Sequence, residues 1–226
     1  MGYEYLYSVQ YMLSFTSAYL LGIWSLRKFY QHRAPSNPKT LMKLYNAGQI
    51  ILNGYLMYGL YEIVGFPNIF GINISFSPNL EWYVFIHYLS KIYDFCDTIF
   101  IVMKKSDRQL SFLHVYHHVS VLPLWGLVIF SGQGNGTNAY GALVNSFIHF
   151  IMYGHYFITS FGINNPLKFI ITKLQIVQFY SIIIHSICVM LFDNVVSRYF
   201  APVLLTYCCT LIVMFNSFYK QTYVKN

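Results

Sequence analysis

The sequence predicts an all-α polytopic membrane protein with seven transmembrane helices. Three observations predict it. Seven apolar runs each approach the ~20 residues that a helix needs to cross hydrocarbon. Only 9% of the 226 residues are charged while 56% are hydrophobic, against about 25% charged in a soluble domain. The basic residues also fall on alternate connections between the runs. One domain covering 1–226 suffices for this length. The net charge of +7 does not point to nucleic acid, because the cations lie between apolar runs, as at a membrane surface.

The runs are Ser8–Leu26, Leu41–Phe66, Trp82–Met103, Phe112–Phe130, Ala139–Phe161, Leu167–Phe192 and Tyr199–Tyr219. Turn-forming sequence separates them, as in Ala34-Pro35-Ser36-Asn37-Pro38 and Asn164-Asn165-Pro166. Arg27, Lys28, Arg33, Lys39 and Lys43 flank the first connection; Lys104, Lys105 and Arg108 fill the third. Lys168 and Lys173 lie at the fifth, and Lys220 and Lys225 near the C-terminus, so 12 of the 14 basic residues share a side. The positive-inside rule makes that side cytosolic, with the N-terminus lumenal and the C-terminus cytosolic. The sequons at Asn73 and Asn135 then face a lumen, close to the membrane. Met1 to Gln10 lacks the basic start of a cleavable signal peptide. The four cysteines (Cys96, Cys188, Cys208, Cys209) sit inside apolar runs without zinc-ligand spacing and read as small buried hydrophobes.

The third run carries Lys91, Asp94 and Asp97, spaced three apart on one helical face. Carboxylates at membrane depth are costly unless paired or hydrated. Two readings stand: a structural ion pair of Asp94 with Lys91, or a carboxylate pair that orients histidines or moves protons. The fourth run opens on His114, His117 and His118, at i, i+3 and i+4, hence on one face. A short connection makes runs three and four antiparallel neighbours. Asp97 lies roughly 10 Å inside Lys104, and His117 and His118 roughly 13–15 Å beyond Arg108. Carboxylates and imidazoles are therefore expected to meet, the carboxylates fixing the imidazole tautomers.

The fifth run carries Asn145, His149, Met152 and Tyr153 as one polar stripe, with His155 pointing elsewhere. The sixth opens with Thr172, Gln175 and Gln178, which read equally as interhelical glue or as the lining of a polar cavity. His32, His87 and His185 are single and read as packing or interface residues. Polar groups of four runs thus converge at one depth, on the basic side.

These four motifs, in this order, resemble the ELO family of very-long-chain fatty acid elongases. That family shows KxxExxDT, HxxHH, NxxxHxxMYxYY and TxxQxxQ stretches; here they read Lys91 to Thr98, His114 to His118, Asn145 to Tyr156 and Thr172 to Gln178. Two positions depart: the family's Glu is Asp94, and a family Tyr is His155.

The resemblance implies a 3-oxoacyl-CoA synthase of the endoplasmic reticulum membrane. It would condense a long-chain acyl-CoA with malonyl-CoA and release CO2 and CoA, with no metal or other cofactor. The helices would enclose an acyl tunnel open to the cytosol. Reductases and a dehydratase of the elongation cycle would be partners, and a homodimer is compatible. The catalytic candidates are His114, His117, His118, His149, Asp94 and Asp97. Cations at the cytosolic mouth suit CoA phosphates. The substrate-binding candidates are Lys91, Lys104, Lys105, Arg108, Gln109, Asn145, Tyr153, Lys168, Lys173, Gln175 and Gln178. Two rival classes remain: a di-iron membrane desaturase or hydroxylase, which needs more than one histidine box, and a seven-span receptor or transporter, which leaves the convergence of histidines, carboxylates and cations without a purpose.

Overall fold

A computed structural model describes residues 6, 8–74, 77–132, 138–194 and 200–224. Among them lie eight α-helices: α1 (Val9–Tyr30), α2 (Lys39–Val64), α3 (Pro78–Tyr93), α4 (Phe95–Met103), α5 (Phe112–Phe130), α6 (Asn138–Thr159), α7 (Lys168–Phe192) and α8 (Phe200–Tyr219). A π-helical turn, Lys220–Val224, follows α8. Each apolar run of the sequence becomes helix. The third is divided in two at Asp94, where Asp97 N–H reaches the Asp94 carbonyl at 3.1 Å in a tightened turn. No strand occurs among the described residues. Tyr199, Glu4, Arg198, Lys225 and the Asn135 sequon lie outside them.

The helix starts are written locally. Ser77 and Ser111 cap α3 and α5 by accepting from Leu80 N–H at 3.4 Å and His114 N–H at 3.2 Å. Pro78 opens α3, where its missing N–H costs nothing. The Ser111 cap fixes the histidine box to the first two turns of α5.

Helix neighbours trace a closed circuit: α2 on α6, α6 on α7, α7 on α8, α8 on α5, α5 on α3 and α3 on α2. The first helix stands outside this circuit, against α4 and α5. One apolar core joins α2, α3, α5 and α6 through Leu60, Leu80, Tyr88, Leu122 and Ala142; a second joins α6, α7 and α8 through Tyr140, Phe179, Cys208 and Leu211. Outward positions are apolar too: Ile51 is 73% exposed and Val213 70%.

By length and composition, three helical segments among the described residues can cross a membrane: Phe112–Phe130, Lys168–Phe192 and Phe200–Tyr223. This is fewer than the seven expected. The reason is compositional: α2 and α6 turn amides and imidazoles inward, and α3 and α4 are short, at 16 and 9 residues.

The cationic connections meet at one end of the bundle. Ser36 N–H bonds the Met103 carbonyl at 2.8 Å, and Lys105 Nζ the Gln31 carbonyl at 3.3 Å, tying the ends of α1 and α4. Lys43 lies 4.0 Å over the Phe161 ring, and Lys173 5.8 Å from that of Tyr219, placing the starts of α2 and α7 beside the ends of α6 and α8.

Candidate active site

The site grows from the break between α3 and α4. Lys91 and Asp94, 1% and 3% exposed, form an ion pair at 3.3 Å. Isolated charges at this burial would be strongly disfavoured, and both have further partners. Lys91 also donates to Asn145 Oδ1 at 2.8 Å, and Asp94 Oδ1 accepts from Gln49 Nε2 at 2.9 Å. Tyr153 O–H donates to Asp97 Oδ2 at 2.5 Å and approaches Asp94 Oδ1 at 3.3 Å. Gln49 is held in turn by Tyr45 and by Asn53, whose Nδ2 donates to the Gln49 Oε1 at 3.1 Å. The carboxylates are thus fixed from α2 and α6 as well as from their own segment.

The predicted stripe on α6 is one face, and its members reach successive groups. Asn145 meets Lys91, His149 Nδ1 stands 3.8 Å from Asp94 Oδ2, Tyr153 meets Asp97, and Met152 Sδ accepts from Gln175 Nε2 at 3.7 Å. The His149–Asp94 separation exceeds a hydrogen bond. Thr172 is buried and donates to the Lys168 carbonyl at 3.3 Å; Gln178 is buried.

The histidine box lies opposite. His114 and His118 pack edge to face with ring centroids 4.4 Å apart, and His117 lies 5.6 Å from His118. Thr98 Oγ1 is 2.7 Å from His114 Nε2. The expected carboxylate contacts on the box do not appear among the described hydrogen bonds. A hydroxyl stands on the box, because Asp94 and Asp97 are turned toward α2 and α6. The Nδ1 atoms of His117, His118 and His149 are buried without a hydrogen-bond partner among the described residues.

The remaining candidates separate by location. Lys105, Arg108, Gln109, Lys168 and Lys173 are exposed and Lys104 half-buried, at the cationic end. Asp107 approaches Arg27 at 3.8 Å between exposed side chains, which stabilises little. Lys91 is unlike these, because it is committed to Asp94 and Asn145. His155 is buried, at 8% exposed. His87 and His185 have structural partners: His87 Nδ1 with Ser146 at 3.3 Å, and His185 Nε2 with the Phe70 carbonyl at 2.9 Å. Among the described residues, no three His, Cys, Asp or Glu side chains group as a metal ion requires.

Sequence reasoning missed Tyr45, Gln49 and Asn53. Their i, i+4, i+8 spacing in an apolar run is the signal that could have found them. It also missed Tyr19, whose hydroxyl lies 2.9 Å from Thr98 Oγ1. One tyrosine among 22 carries no such signal.

The family described as ELO: GNS1/SUR4 matches residues 5–226. Fatty acid elongase 5 of Trypanosoma cruzi (strain CL Brener) is 40% identical over 204 residues, which cover 90% of this chain and 80% of that protein. Fatty acid elongase 5 of Leishmania major is 38% identical over 203 residues, covering 90% and 81%. Very long chain fatty acid elongase 4 of Homo sapiens is 34% identical over 227 residues, covering 93% and 70%.

Proposed function

The chain belongs to the ELO family, and from that premise we propose how its site carries out fatty acid chain elongation. It is a membrane-embedded condensing enzyme of the 3-oxoacyl-CoA synthase class. The observation that supports this most strongly is the gathering of the ordered motifs inside the helices, with Lys91, Asp94, His118 and His149 buried and His114 and His117 half-buried beside them. In this reading a long-chain acyl-CoA and malonyl-CoA are the substrates, and 3-oxoacyl-CoA, CO2 and CoA the products. All seven helical runs span the endoplasmic reticulum membrane, with the cationic end cytosolic and the N-terminus lumenal. The ring encloses the acyl tunnel. Lys104, Lys105, Arg108, Lys168 and Lys173 receive the CoA phosphates at its mouth.

The buried imidazoles support covalent catalysis. A His117 nitrogen attacks the thioester carbonyl, the C–S bond breaks, and CoA leaves as the thiol after taking a proton. The acyl group is held as an acyl-imidazole. Malonyl-CoA then loses CO2 to give an enolate, whose carbon attacks the acyl carbon; the C–N bond breaks and the departing His117 nitrogen takes up one proton from solvent, which restores the imidazole. His118, His149 and Asn145 are the donors available to the oxyanion and enolate. The carboxylates keep in place Lys91, one turn earlier on α3, and Tyr153 on α6.

Membranes containing the protein, given labelled malonyl-CoA and a panel of acyl-CoAs, should yield products two carbons longer; no labelled product with any chain length overturns the reading. His117→Ala should abolish CoA release from acyl-CoA in the absence of malonyl-CoA. Unchanged release excludes His117 as the acyl carrier. The reductases and dehydratase of the cycle act on the product, and a homodimer is tested by the mass of the purified protein in detergent.

A further inference from the structure

The first helix lies outside the ring, yet one of its residues reaches the histidine box. Tyr19 on α1 is 6% exposed and stacks on Phe95 with centroids 4.2 Å apart. Its hydroxyl is 2.9 Å from Thr98 Oγ1, and the same Thr98 oxygen is 2.7 Å from His114 Nε2. Both distances are those of good hydrogen bonds.

Proton counting gives this chain a direction. A threonine hydroxyl carries one hydrogen. If Thr98 donates it to His114 Nε2, Thr98 accepts from Tyr19, and every hydroxyl hydrogen has an acceptor. In the reverse order, His114 donates to Thr98 and Thr98 to Tyr19, and the buried Tyr19 hydrogen then has no acceptor among the described hydrogen bonds. A buried unmatched donor is disfavoured. The first order matches both hydroxyl hydrogens, and it places the proton of His114 on Nδ1, which is not among the buried atoms left without a partner.

The ring of Tyr19 is packed, against Phe95 and with its centroid 5.9 Å from that of His118, but the helix around it is not. Beside it α1 and α4 part around an apolar cavity of about 240 Å³, walled by Phe15, Gly22, Ile23, Leu26, Ile99 and Val102. A methyl group at Gly22 would meet no atom within 4 Å. The interface leaves that space open while the Tyr19 hydroxyl makes a defined contact.

We infer that Tyr19 is a positioning residue of the condensation: through Thr98 it fixes the tautomer of His114 and its ring against His118. The inference rests on the elongase reading, in which the box is catalytic. Tyr19→Phe keeps the ring on Phe95 and removes the hydroxyl; Thr98→Val removes the relay oxygen; Thr98→Ser keeps it.

Each of Tyr19→Phe and Thr98→Val should lower kcat by roughly tenfold with KM for acyl-CoA unchanged. The double variant should be no slower than the slower single one. Thr98→Ser should retain the rate and remain sensitive to Tyr19→Phe. Multiplying losses, or a change in KM alone, would overturn the relay, and unchanged thermal unfolding shows that the variants fold. Nitrogen-15 NMR of histidine-labelled protein reads the relay independently of activity. The His114 Nε2 signal, assigned by its loss in His114→Gln, should be that of an unprotonated, hydrogen-bonded nitrogen. Both Tyr19→Phe and Thr98→Val should shift it, and a signal that does not move refutes the relay even if the enzyme elongates. An inactive wild type with a shifting signal instead places the fault in the elongase reading.

Discussion

Two polar regions face each other inside this bundle, and they are finished to different degrees. Around Asp94 and Asp97 the polar groups are paired: Lys91, Gln49, Tyr45, Tyr153 and Asn145 supply hydrogen bonds from three helices. In the box His117 and His118, and beside Asp94 His149, each keep a buried Nδ1 without a hydrogen-bond partner among the described residues. In an apolar surround both choices are costly unless something offsets them. The paired region offsets its cost within the fold. The other keeps unused hydrogen-bonding capacity, as His87 Nε2 and His185 Nδ1 also do among the described residues. The sequence presents carboxylates and histidines as equals, and the hydrogen-bond pattern separates their roles.

The comparison can be broken in several places. The largest effect is expected at the open side: His117→Ala should lower elongation on the order of 1000-fold or more while the protein stays folded, as seen in rate assays beside thermal unfolding. Asp94→Asn, on the closed side, should do the reverse of a clean kinetic variant. It leaves Lys91 without its counter-charge, so stability should fall by about 3–5 kcal/mol, read as a lower unfolding temperature in detergent. Tyr153→Phe removes the donor to Asp97 and should cost about 1–3 kcal/mol by the same measurement. If it instead cuts the rate with stability intact, Tyr153 belongs to the open region. Neutralising Lys104, Lys105 and Arg108 together by Gln should raise KM for acyl-CoA severalfold, most at low salt, because exposed charges are screened. The smallest effect is at Gly22, where Ala should stabilise α1 by up to about 1 kcal/mol, with no steric penalty.

Much of this was legible in the sequence, for reasons that differ by element. The helices follow from apolar runs and Pro, Gly and Asn punctuation, and Phe112–Phe130 matches its run at both ends. The α6 stripe was readable because helical spacing fixes which side chains share a face. The break at Asp94 was not, because its αR conformation leaves no Gly or Pro to announce it. Nor was the turn of Asp97 away from the box, which depends on Tyr153 arriving from α6, 56 residues away. Thr98 stood in a recognised motif, but its partner Tyr19 lies 79 residues from it, and no local pattern reports such a pairing.

The first helix is held at both ends and loosely seated between them. Met12, 2% exposed, sits in a notch at Gly126, where any added Cβ would collide with the Met12 sulfur, and Tyr88 O–H bonds the Leu6 carbonyl at 2.8 Å just before α1 begins. Past Tyr19, the stretch from Gly22 to Leu26 borders open space. In mechanical terms α1 is a beam pinned at both ends, by Met12 and Leu6 at its root and by the Lys105 tie to the Gln31 carbonyl at the cationic end, with a compliant span between Tyr19 and that tie. Lateral pressure from the surrounding bilayer would bow that span toward the open space, with Tyr19 holding its inner edge.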